Sequence, residues 1–81
     1  MKWFEIWFED EMAMLDTMTR NMVADLEAGY NPNGNCIRRQ AADIENRKAR
    51  FDARMEVFKY TDDKEVDRWC YYDLKKRGAI A

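Results

Sequence analysis

The chain has 81 residues, with 14 Lys and Arg against 16 Asp and Glu, 47% hydrophobic residues, three Gly and one Pro. That composition suits one small helical domain over residues 1–81 and not a disordered chain. There is no His and no Ser, which excludes Ser-His and Cys-His nucleophile pairs and every His-containing metal site, and a net charge of −2 gives no bulk attraction to nucleic acid or an anionic membrane.

In the first segment Phe4, Phe8, Met12, Leu15, Met18, Met22 and Leu26 recur at three- and four-residue steps, which predicts a helix over about 3–28 with one apolar stripe. Lys2 to Glu9 also alternates in twos, so a strand competes for residues 2–9. It lacks a second strand candidate to pair with, and helix is the favoured reading. Gly29-Tyr30-Asn31-Pro32-Asn33-Gly34 cannot continue a helix and reads as a turn. Asn35 is the expected N-cap of a second helix over about 36–60, whose positions 37, 41, 44, 48, 51, 55 and 58 are Ile, Ala, Ile, Lys, Phe, Met and Phe, a coiled-coil-like seam with one charged intruder. Asp62 and Glu65 suggest a capping box ahead of Val66. Lys75, Lys76 and Arg77 before Gly78 suit the end of a short third helix over about 63–77.

The fold expected is therefore all-α: an antiparallel helical hairpin with a short third helix, making a three-helix bundle at one end. A six-residue turn sets facing residues to numbers summing to about 63, which pairs Leu26 with Ile37, Met22 with Ala41, Phe8 with Met55, and Phe4 with Phe58. Lys48 then falls opposite Leu15 and Asp16, either in an Asp16 ion pair or with its stem directed outward. Trp3, Trp7 and Met14 lie to one side of the main stripe, where Val66, Trp69, Cys70 and Leu74 are placed to cover them. At the other end Met18, Met22, Val23, Leu26, Ile37 and Ile44 lack a third layer. They mark an oligomer or partner surface and predict a homodimer, unless the seam alone hides them.

The two thiols, Cys36 and Cys70, fall at opposite ends of the hairpin, too far apart for a disulfide. Neither has the partner a catalytic cysteine needs, so no enzyme activity is expected. Asp62-Asp63 and Glu9-Asp10-Glu11 lack the spaced ligands of a calcium loop, and neither cofactor nor metal is expected. The absence of an apolar span and of a signal peptide after Met1-Lys2-Trp3-Phe4-Glu5 points to a cytoplasmic protein with no membrane partner.

Charge is the more informative feature. Residues 1–28 hold seven acids and two bases, and residues 29–60 hold seven bases and four acids. On helical wheels Glu5, Glu9, Asp16 and Glu27 of the first helix share a flank of the hairpin with Glu45, Asp52 and Glu56 of the second. Glu5 with Glu9 and Asp52 with Glu56 are like-charge pairs at four-residue spacing, each unfavourable by roughly 0.2–0.5 kcal/mol. A chain that keeps such pairs has a use for the field or satisfies it between packed helices. The opposite flank carries Arg39, Arg47, Arg50 and Arg54, interrupted by Asp43, which is expected to pair with Arg39 and Arg47. Ala42, Ala49 and Ala53 on the back of the second helix are a second candidate dimer face, or simply exposed helix formers. The reading is a non-catalytic protein-interaction module, in its sharper form a small inhibitor or regulator that docks its acidic face on a basic groove of a nucleic-acid-handling protein. The alternative is a nucleic-acid binder that uses the arginine stripe.

Overall fold

A computed structural model describes all 81 residues. Three helices follow one another, α1 (Lys2–Glu27), α2 (Asn35–Phe58) and α3 (Asp63–Lys76), so residues 2–9 are helical. α1 is the central element: both α2 and α3 lie along it, while α2 and α3 come together chiefly through side chains, Phe58 meeting Trp69 with ring centroids 5.5 Å apart. No helix is long and apolar enough to cross a membrane.

The helix ends follow from local chemistry. α1 stops in a Schellman motif, with Gly29 at φ +97°, its N–H donated to Leu26 O at 3.1 Å and the Tyr30 N–H to Asp25 O at 3.0 Å. α3 ends the same way at Gly78, φ +76°, with bonds from Gly78 to Lys75 and from Ala79 to Leu74. A left-handed residue at each helix end is where glycine avoids the Cβ clash. α2 differs from expectation at its start: Gly34 is the N-cap and Asn35 is already helical. The cause is an Asx turn in which Asn31 Oδ1 accepts the Asn33 N–H at 2.9 Å. It brings Gly34 so close to the Asn31 carbonyl that a Cβ there would lie 3.2 Å from the oxygen. Asp62 caps α3 by accepting the Lys64 N–H at 3.1 Å, but the capping box is half formed, because Glu65 turns away to Arg68 at 3.3 Å.

The start of α1 is capped by another helix. No side chain of its own does so. Instead Asp67 of α3 reaches across and its Oδ1 accepts the Trp3 and Phe4 N–H groups at 2.8 and 2.9 Å. Two orphan donors of the first turn are satisfied by a carboxylate that also faces the positive end of the helix dipole.

The core gathers at this end. Trp7, Val66, Cys70 and Leu74 are buried, with Phe4, Phe51, Phe58 and Trp69 packed around them. The expected Phe4–Phe58 pair is present with ring centroids 6.1 Å apart, Trp7 meets Trp69 at 5.7 Å, and Trp3 meets Tyr71 at 4.9 Å. Such edge-to-face and tilted contacts add about 0.5–1.5 kcal/mol each beyond burial. Met14, expected under α3, is instead 41% exposed. Because Asp67 and not Asp63 sits at the start of α1, α3 is displaced by a turn and its end, at Arg77, comes level with Glu11. The Lys48–Asp16 pair does not form either: Asp16 binds Arg20 one turn along its own helix at 2.8 Å, and Lys48 is exposed.

The molecule is long for its size. Its radius of gyration is 15.4 Å, against about 12 Å for a compact chain of this length. Its accessible surface is 6075 Å², against about 5,200 Å² from mass scaling.

Candidate functional site

The two charged flanks have separate fates. Trp3 and Trp7 carry α3 and lie on the opposite side of the α1 wheel from Glu5 and Glu9, so α3 covers the side away from the carboxylates. All seven flank acids, Glu5, Glu9, Asp16, Glu27, Glu45, Asp52 and Glu56, are exposed. Asp16 is paired with Arg20 and Glu56 with Lys59, at 2.8 and 2.9 Å. Glu5, Glu9, Glu27, Glu45 and Asp52 have no ion-pair partner. The acidic first helix and the basic second helix are thus joined by a single ion pair, Glu11–Arg47 at 3.3 Å, and not by mutual neutralisation along the hairpin.

The arginine stripe is largely drawn inward. Arg47 is held by Glu11, and its Nε is buried with no hydrogen-bond partner. Arg54 lies over the Trp69 ring at 4.1 Å and over Phe58 at 5.9 Å, a cation–π arrangement worth about 0.5–2 kcal/mol. Only Arg39 and Arg50 of the four are left exposed and unengaged. The expected pairing of Asp43 with Arg39 and Arg47 is absent, because Glu11 takes the Arg47 guanidinium from the other side.

Glu11 anchors a network that ties the three helices together. It is 5% exposed and accepts from Arg47 of α2 and, at 2.6 Å, from Arg77 at the end of α3. Arg77 also reaches Asp10 at 3.0 Å and binds Asp73, whose carboxylate accepts the Trp7 indole N–H at 2.9 Å. Burial opposes the Arg77 charge, but the hydrogen bonds it donates to Glu11 and Asp10, with the field of Asp73, outweigh it and raise its pKa above the ordinary arginine value. Sequence reading missed this cluster. A signal existed: Glu11 falls on the apolar face of the first helix, one turn from both Trp7 and Leu15, where a lone acid requires a cation.

The thiols are free, Cys36 exposed and Cys70 fully buried. Burial, then the charges of Asp67 and Asp73, push the Cys70 thiol up to about 12 against the pull of Arg54 and Arg77, so it stays protonated and unreactive at neutral pH. Asp62 serves as a cap and Asp10 and Glu11 as arginine partners; no three of the Cys, Asp and Glu side chains converge on a metal-sized space.

Of the six apolar residues at the hairpin end, Ile37 is buried, Met18, Met22, Leu26 and Ile44 are half-buried, and Val23 is 42% exposed. The seam hides more of them than a bare two-helix layer was expected to hide. Comparison with protein-family models, curated proteins and solved structures finds no match to this chain.

Proposed function

We propose that this chain is a non-catalytic protein-interaction module that presents its carboxylate flank to a basic groove of a nucleic-acid-handling protein, acting there as an inhibitor or regulator. The observation that carries the reading is the set of five exposed carboxylates without a cation partner, strung along both helices of a rod 47 Å long. Two of them, Glu5 and Glu9, repel each other one turn apart; Glu5, in the first turn, gains from the α1 dipole, but Glu9 lies beyond its reach. Such a ribbon presents negative charge to a groove built for phosphates and favours encounter with it through the long-range field. The reading places the protein in the cytoplasm, where such partners reside.

The test is capture of host proteins on immobilised chain, with duplex DNA as competitor. The reading expects a captured protein that DNA releases and that the triple variant Glu45→Lys, Asp52→Lys, Glu56→Lys no longer holds. Capture that survives both the reversal and the competitor contradicts it. Retention of the chain itself on duplex DNA, lost on Arg39→Glu with Arg50→Glu, would replace it with direct nucleic-acid binding.

For the hairpin end we propose self-association. Its support is the exposed Val23 beside half-buried Met18, Met22, Leu26 and Ile44, an adaptable apolar strip that a second copy would cover.

A further inference from the structure

α2 and α3 both lean on α1 and meet each other chiefly through long side chains, Phe58 and Arg54 against Trp69, so a trough lies between them with Trp7 and Glu11 of α1 at its base. It consists of two adjoining cavities of about 410 and 470 Å³ that share Arg54, Val57, Trp69 and Asp73. On α2 it extends from Arg47 to Phe58, and on to Thr61 in the turn beyond the helix; the helical part alone is about 17 Å at 1.5 Å per residue, and a helix of about 14 residues spans the whole.

The lining indicates what fits. Val57 of α2 and Tyr72 of α3 stand on the two walls, 51% and 61% exposed, with Phe58 and Trp69 between them. The acids along the trough are already engaged: Glu11 with Arg47 and Arg77, Asp73 with Arg77, and Glu65 with Arg68. Arg50, Arg54 and Lys76 line it with no carboxylate partner. The field is therefore positive over an apolar floor. Its partner must bring apolar side chains at helical spacing together with carboxylates. A nucleic-acid backbone would meet Glu11, Glu65 and Asp73 as well as the cations, and would leave Val57 and Tyr72 uncovered.

We propose that the trough between α2 and α3 is a docking site for an acidic amphipathic helix of a protein partner, with apolar residues one turn apart seated on Val57 and Tyr72 and carboxylates turned to Arg50 and Lys76. This surface is distinct from the carboxylate flank and shares no residue with it. The two stand or fall separately.

The test is selection on the whole protein from a displayed library of helical peptides of about 14 residues, followed by fluorescence anisotropy of the enriched sequences. Enriched peptides are expected to be acidic, with apolar residues at i, i+3 or i+4 and i+7. Their binding should weaken at least about tenfold on Val57→Asp and on Arg50→Glu with Lys76→Glu, and remain unchanged in the triple flank variant. Val57, Arg50 and Lys76 are exposed and make no ion pair, so the variants keep the helical circular dichroism that serves as the folding control. Enrichment of basic sequences, binding indifferent to these substitutions, or failure to select any peptide overturns the proposal. A heparin hexasaccharide bound in their place and lost on Arg50→Glu with Lys76→Glu would make the trough a polyanion site, which also overturns it.

Discussion

Removing the Glu11 carboxylate leaves Arg47 without its only counter-ion, while Arg77 keeps Asp10 and Asp73. Breaking a fully buried pair costs about 3–5 kcal/mol, and because both guanidiniums still reach water, Glu11→Leu is expected to cost about 2–3 kcal/mol in urea denaturation. Cys70 supplies a pH test at the same scale. Its thiol pKa is raised from 9.0 to about 12 in the folded chain. Below pH 9 both states hold the proton and this group adds no pH dependence. Between 9 and 12 the unfolded chain loses the proton and the folded chain keeps it, so stability falls as pH rises, by up to about 1.4 kcal/mol per pH unit. Between about pH 8 and about pH 10 the unfolding free energy of the wild type should fall by roughly 1.4 kcal/mol more than that of Cys70→Ala. In the native state a thiol reagent should label Cys36 alone, with the second thiol appearing only in denaturant.

At the level of elements, α1 depends on α3 for its first turn. Asp67→Ala removes the acceptor of the Trp3 and Phe4 N–H groups and is expected to cost about 1–2 kcal/mol, with Asp67→Asn recovering part of it. Thermal melts of the two variants check this. This contact also marks the limit of reading by periodicity. The apolar steps from Phe4 to Leu26 and from Ile37 to Phe58 specify two helices and their face-to-face pairing, because each stripe can be buried only against the other. The Gly-Pro-rich segment at 29–34 specifies the turn. Asp67 and Asp73 carried no comparable signal: each acts on a residue more than sixty positions away, and capping rules look only a few residues along the chain. The one-turn displacement of α3, which uncovers Met14 and brings Arg77 to Glu11, follows from the Asp67 contact and was hidden for the same reason. Among the site residues the exposed acids were legible, since solvated helix positions follow from the wheel. The arginines were not: whether Arg47 and Arg54 face solvent or turn inward depends on where α3 lies.

For the whole molecule, an elongated shape with six buried residues leaves most of its surface for contact. If the hairpin strip self-associates, sedimentation equilibrium at micromolar concentration should give twice the 9.8 kDa chain mass, and Val23→Lys should return it to the monomer. A monomer at every concentration would remove the second copy and leave the strip as a plain seam.

A carboxylate flank held for a partner is surplus to folding. The most direct test is the stability of Glu9→Lys in urea at low salt, since Glu9 is exposed, has no ion-pair partner and faces Glu5 one turn away. The substitution replaces a repulsive pair by an attractive one, and a gain of roughly 0.4–1 kcal/mol that fades as salt is added is predicted. A loss of stability of similar size would mean that Glu9 serves the fold, and would contradict the claim that the flank is held for a partner.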